Sequence, residues 1–378
     1  MADILVTEYN SHPVVAAYID NRPEFLSVVH DSDLGSIYLC RVDNVIKNLD
    51  SAFVRYAGES IGYVPLKNIL PCTVVNRVLK GGERIRQGDE IILSVDTEEI
   101  KSKKAKLTSF ISASGRFSVV TLGRKGVGAS LKLSSEIRNK LIDTVKIFYP
   151  ELCDEMKDSN LTDGFGIIIR TEAADIPAEE FKDTILSDIR KSLSELDKIL
   201  ADGKTRTVFS CVKKGDAGNV ETHITKASNF LKSRGADEIR ILDSSVIYSI
   251  KDDIDKLLAN KVWLKSGGFL IIEQLESFNA IDVNTGKAID GKKDAITKVN
   301  FEAADEIFRQ IRLRNLSGMI LIDFINFKNR EDTERFCEYV KSLCRREPVH
   351  TEFIDITGLG IVELTRNKND KSLREIIR

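Results

Sequence analysis

Three oxygen-bearing side chains stand at the ends of apolar runs: Asp282 and Asn284 in NAIDVNTGKAID (279–290), and Asp323 in GMILIDFINF (318–327). Two carboxylates and an amide are the donors a hard ion such as Mg²⁺ takes, since it keeps several waters and accepts only one or two protein carboxylates. An ion held there would stabilise charge on a phosphoryl oxygen and lower the pKa of a bound water, the chemistry of phosphodiester hydrolysis. The bland alternative is that Asp282 makes an Asx turn with Val-Asn-Thr-Gly while Asp323 caps a loop. Spacing leaves both open.

The choice depends on the elements that carry these residues. In a strand, side chains two apart share a face, so Phe278, Ala280, Asp282 and Asn284 project together. Between the two aspartates, Asp294 to Arg314 repeats apolar residues at Ile296, Val299, Ala303, Ala304, Ile307 and Ile311, the stripe of a helix packed on a sheet. Strand, helix, strand is a crossover unit, which predicts parallel strands. If the two strands are neighbours, about 4.8 Å apart, both carboxylates can share one ion. A helix over Glu331 to Arg345 and a strand at VHTEFIDIT follow.

Upstream, Ile4 to Tyr9 and Val14 to Ile19 read as strands, with turn chemistry at Ser11-His12-Pro13 and Asn21-Arg22-Pro23. From Gly35 to about Leu107, short strands separated by glycine turns suggest a small barrel of the OB type. Its runs SAFVRYA and SIGYVPL form a candidate hairpin around Gly58-Glu59-Ser60 that would set Phe53 beside Tyr63, either as a platform for unpaired bases or within the barrel core. Residues 108–205 alternate strands with helices at Ser134 to Phe148 and Ala178 to Leu200. GRKGVGASLK reads as a loop without the ending of a P-loop. After Asp202-Gly203 come a strand at TRTVFSCV, a helix over Thr222 to Arg234, a strand at EIRILD and a helix over Val246 to Asn260.

With 378 residues, 42% hydrophobic and 30% charged, the chain has material for more than one core, and no apolar run nears the roughly 20 residues that span a bilayer. An N-terminus without a basic and then apolar leader predicts a cytoplasmic location. Six scattered cysteines and four scattered histidines offer no zinc spacing. The net charge of −2 leaves nucleic-acid binding to local clusters, KSKKAK (101–106) and RQIRLR (309–314), each readable as a phosphate track or a solvated face.

GGFLIIEQLESFNAIDVNTGKA, NFEAADEIFRQIRLRNLSGMILIDF and TGLGIVELTR resemble the bacterial ribonuclease E/G family, strongest from Ser266 to Arg366 and in matching segment order throughout. The resemblance implies a Mg²⁺-dependent endoribonuclease acting on single-stranded RNA in RNA processing or decay, with Asp282 and Asp323 as its metal pair and Asn284 as their polar partner. SAFVRYAGESIGYVPL is similar to the family's S1 domain, placing Phe53 and Tyr63 at stacking positions and Lys103 at a phosphate contact. FISASGRF and IIIRTEA resemble the family's 5′-monophosphate sensor, which implies Gly115, Val119, Arg170 and Thr171. The implied fold is α+β and multidomain: an RNase H-like domain in two parts (1–33 and a shortened 206–260), split by an S1 barrel (34–107) and a sensor region (108–205), then a DNase I-like catalytic domain (261–378).

Three departures from the family pattern bear on this reading. The zinc-link cysteines expected after ELTR do not occur before Arg378, so zinc is not expected, and any homo-oligomer would form without that link. Asn326 stands where the family has an acid, and Leu131 where it has an arginine, with only Lys132 left of the basic pair. The competing reading is a catalytically weak RNA-binding protein on the same scaffold.

Overall fold

The computed structural model describes residues 2–80, 83–99, 103–131, 133–243, 248–286, 295–327, 330–368 and 370–377. Gly81, Gly82, Lys101, Ser102, Lys132, Val246 and Asp294, which the sequence reading used, lie outside them. The chain divides into two compact units, one formed by Met1–Asp31 with Gly218–Arg378, the other by Ser32–Ala217.

In the first unit, strands Ala2–Tyr9, His12–Ile19 and Arg22–Val28 form an antiparallel meander, joined by Ile239–Leu242 running parallel to the first. Both turns place two consecutive residues at positive φ, Asn10 and Ser11 (48° and 64°) and Asp20 and Asn21 (49° and 62°), the signature of type I′ turns whose twist suits a hairpin. Each turn thus sits earlier than the prolines suggested. Pro23 instead enters an edge strand, where its missing N–H costs no ladder bond. Ile4, Val15 and Ala17 bury against Phe230 and Leu231 of the helix Val220–Ser233, while Leu5, Val14 and Ala16 bury against Ile254 and Leu257 of the helix Ile250–Leu258. Burial on both faces explains the unbroken apolar run VVAA.

The same unit holds a six-stranded sheet, in spatial order Lys261–Trp263, Phe269–Gln274, Asn279–Asn284, Gly318–Asp323, Ile361–Arg366 and Thr351–Ile356. The helices Ala295–Arg314 and Arg330–Arg346 cover one face, packing Val299, Ala303, Ile307, Phe336 and Val340 on Leu270, Ile281, Ile320 and Val362. The basic run RQIRLR proves to be neither a phosphate track nor a solvated face. Arg312 is buried; it ion-pairs with Glu347 and donates to Glu24 Oε2 at 2.8 Å, while Arg309 bonds Glu306 and the Pro23 carbonyl. Burial pushes the Arg314 guanidinium down to about 10. Arg309 and Arg312 tie the helix to the N-terminal meander.

In the second unit, Ile37–Ile46, Ser51–Tyr56, Ser60–Pro65, Ala105–Thr108 and Glu90–Thr97 pair in that order, and the last closes onto the first, giving a five-stranded barrel of the OB type. A second sheet, ordered Gly126–Ala129, Phe165–Ile169, Ser118–Leu122 and Ser112–Ser114, packs against the helices Ser135–Glu155 and Phe181–Thr205. GVGA is therefore an edge strand, parallel to Phe165–Ile169, and not a loop. The expected strand TRTVFSCV shrinks to Cys211–Lys213, because the preceding helix runs on through Gly203 to Thr205. Gly203 does not end the helix: a Cβ there would lie 2.4 Å from Ile92 Cδ1, so glycine serves close packing on a core side chain.

Candidate metal centre and nucleic-acid interface

The strands Asn279–Asn284 and Gly318–Asp323 are adjacent and parallel, and their register sets Asp282 directly opposite Asp323. Along the first strand Asn279, Ile281 and Val283 are buried beneath the helices, while Asp282 emerges on the open face, as does Asp323. Asn284 shares that face and donates from Nδ2 to Asp282 Oδ2 at 2.7 Å, which fixes the carboxylate and leaves the amide oxygen as a further acceptor. Neighbouring strands lie about 4.8 Å apart, a spacing at which two carboxylates can share one small cation. The donor set is all oxygen and mostly anionic, which suits Mg²⁺ and not a thiophilic metal.

The loop after Asp323 is held by a residue the sequence reading passed over. Asn300, wholly buried in the helix Ala295–Arg314, donates to the Ile325 carbonyl at 2.7 Å and accepts from the Ile325 amide at 3.2 Å. A polar side chain beside the apolar stripe of that helix was the available signal. Phe324 adds an edge contact to Phe336 at 4.7 Å between ring centroids. Asn326 is exposed, and its Oδ1 lies 2.9 Å from where a Cβ on Gly360 would sit, so it abuts the turn leading into the strand paired with Asp323.

On the barrel, Phe53 and Tyr63 are direct cross-strand partners, and both are half-buried on its outer surface; the barrel core is built from their neighbours Ala52, Val54 and Val64. The ladder continues to Lys106 beside Tyr63, a basic residue in the same row that the sequence reading did not single out. Lys106 bonds Asp96 at 2.6 Å. Lys103 is exposed just before that strand.

In the neighbouring sheet, Arg170 Nη1 donates to the Gly115 carbonyl at 2.8 Å, and Val119 pairs in register with Ile168 on the face away from the helices. Asp188 organises the turn, accepting from the Arg116 and Phe117 amides and from Ser118 Oγ. A Cβ on residue 115 would fall 2.3 Å from Asp188 Oδ2, so a side chain there would have to displace the carboxylate that organises the turn. Glu172 was missed: it pairs with Arg170 at 3.3 Å and accepts from Thr171 Oγ1 at 3.3 Å, placing an acid among the proposed phosphate ligands. Its signal was the glutamate directly after Arg-Thr.

Among the described residues no helix is long and apolar enough to cross a membrane. The sequence profile of the Ribonuclease E/G family matches residues 216–369. Ribonuclease G of Salmonella typhimurium (strain SL1344) is 27% identical over 387 residues, covering 91% of this chain and 74% of that protein. Ribonuclease E of Synechocystis sp. is 25% identical, covering 97% of this chain and 57% of that protein. Ribonuclease E of Escherichia coli (strain K12) is 26% identical, with 92% of this chain and 34% of that protein aligned. The matched segment contains both strands of the carboxylate pair, and the likeness to these ribonucleases extends across both units.

Proposed function

We propose that this protein is an endoribonuclease that hydrolyses phosphodiester bonds in single-stranded RNA, in RNA processing or decay, using a divalent cation held by Asp282 and Asp323. The observation that carries the reading is the in-register placement of these two carboxylates on an open sheet face, with Asn284 bonded to the first. When bound, Mg²⁺ would supply an activated water and neutralise charge on the phosphate. The chain's own residues do the rest. Asn284 holds Asp282 in one orientation, and Asn300 fixes the backbone just after Asp323, so the donor set is assembled before substrate arrives.

RNA capture falls to the barrel, where Phe53 and Tyr63 offer ring faces to unpaired bases and Lys103 meets a phosphate. Gly115, Val119, Arg170 and Thr171 favour a 5′-monophosphate end: the arginine fork suits a terminal phosphate, and the threonine hydroxyl adds a bond. The RNase H-like and DNase I-like assignments for the parts of the first unit rest on the same family likeness.

The test is cleavage of a fluorescent AU-rich RNA oligonucleotide alongside its DNA counterpart. Mg²⁺-dependent cutting of RNA alone, abolished in Asp282→Asn, is the expected result. Retained activity in that variant, or equal cutting of DNA, would overturn the assignment.

A further inference from the structure

Trp263 is the one tryptophan of the chain, and it is 64% exposed. It sits on the edge strand Lys261–Trp263 of the sheet that carries the aspartates. The ladder runs Trp263 to Phe269 to Asn284 across three strands, so both rings stand on the open face in the row of Asn284, one step along from the row Lys261, Ile271, Asp282, Asp323. Val262, between the two outward residues, packs toward the core beneath. The indole and phenyl rings meet edge to face at 5.4 Å, and the Lys261 ammonium lies 4.1 Å from the Trp263 centroid and 3.8 Å from that of Phe269.

An exposed indole, a second ring and an ammonium in one cluster, about two strand spacings from Asn284, offer what a nucleotide needs: a flat apolar face for the base and a cation for its phosphate. We infer that Trp263, Phe269 and Lys261 form a stacking subsite for an unpaired base within a nucleotide or two of the scissile phosphate. The inference rests on the endoribonuclease reading above. Nucleic acid is favoured over a protein partner by Lys261: sealing its ammonium in a dry protein interface would cost desolvation, whereas an RNA strand brings a phosphate to meet it. The site belongs to the compact unit that carries the aspartates, whereas Phe53 and Tyr63 belong to the other, and it would position the strand at the reacting bond itself.

Because the sequence holds no other tryptophan, emission excited selectively at the indole reports this site. Full-length Asp282→Asn protein, which leaves RNA uncut, is titrated with a fluorescein-labelled single-stranded RNA oligonucleotide for anisotropy and with unlabelled RNA for tryptophan emission. The expected result is quenching that saturates with the same midpoint as the anisotropy. In the cleaving protein, Trp263→Ala should raise KM about ten-fold, with Trp263→Tyr restoring most of it, since any aromatic face can stack a base. Binding by anisotropy with unchanged emission overturns the subsite and leaves the function standing. Emission that responds to protein concentration but not to RNA reassigns the face to contact between copies and also overturns it. Neither binding nor cleavage removes both readings together.

Discussion

The sheet of the proposed metal centre and the barrel use one device to different ends. In each, adjacent strands set two candidate side chains opposite one another on an outward face: Asp282 with Asp323, and Phe53 with Tyr63. The aromatic pair belongs to an antiparallel hairpin closed by the short turn at Ala57 and Gly58, both at positive φ, so local chain geometry alone sets its register. The carboxylate pair is parallel, and a whole helix must cross between its strands. Its register is secured by the helix packing on the sheet and by Asn300 gripping the loop beyond Asp323. A site of this second kind depends on remote packing, whereas the first tolerates change outside its hairpin.

The largest effect should come from the carboxylates. Asp323→Asn removes half of the anionic donor set, and a loss of about 4 kcal/mol in transition-state stabilisation corresponds to about a thousand-fold in kcat. RNA affinity by anisotropy should stay within a few-fold. A variant retaining near-normal kcat would show that the two aspartates do not act as a pair.

Next comes the remote support. Asn300→Ala leaves the Ile325 amide and carbonyl without their buried partner, at a cost of about 1–3 kcal/mol. A lowered Tm is expected together with a kcat reduced about ten- to a hundred-fold, because a small displacement of a catalytic group is costly. Among the described residues, no side-chain hydrogen bond supports the backbone of the aromatic pair in this way. Phe53→Ala should therefore raise KM, by about ten-fold for one lost stack, and leave kcat and Tm close to wild type. If Asn300→Ala altered only Tm, or Phe53→Ala lowered kcat, the contrast between the two regions would collapse.

The same contrast governs what the sequence made legible. Periodicity and turn chemistry found the crossover helix, the barrel hairpin and the alternation that lifts Asp282 out of a buried strand, since each depends on neighbours in the chain. Long-range contacts were not legible. RQIRLR looked as basic as KSKKAK, yet Arg312 is paired with Glu24 and Glu347 from distant elements, and Arg309 bonds the Pro23 carbonyl as well as Glu306 on its own helix. The helix through Gly203 ran past an apparent stop because Ile92 packs there. Asn300 drew no notice because its partner, Ile325, is backbone.

Glu172 offers the smallest and most local test. Its carboxylate lies against Arg170 and Thr171, the two side chains proposed to bind a 5′-phosphate, so it occupies donors that the phosphate would use and adds a like charge nearby. Arg170 and Glu172 are each about one-third exposed, at 33% and 36%, and a pair so accessible to water and salt contributes at most about 1 kcal/mol. Glu172→Gln frees the guanidinium without emptying the space. The ratio of kcat/KM for 5′-monophosphorylated over 5′-hydroxyl RNA should then rise by up to about five-fold at low salt and by less at high salt, where screening already weakens the carboxylate. An unchanged ratio at both salt concentrations would mean that Arg170 and Thr171 do not receive the RNA end. The barrel and the carboxylate pair would then account for substrate choice without a sensor.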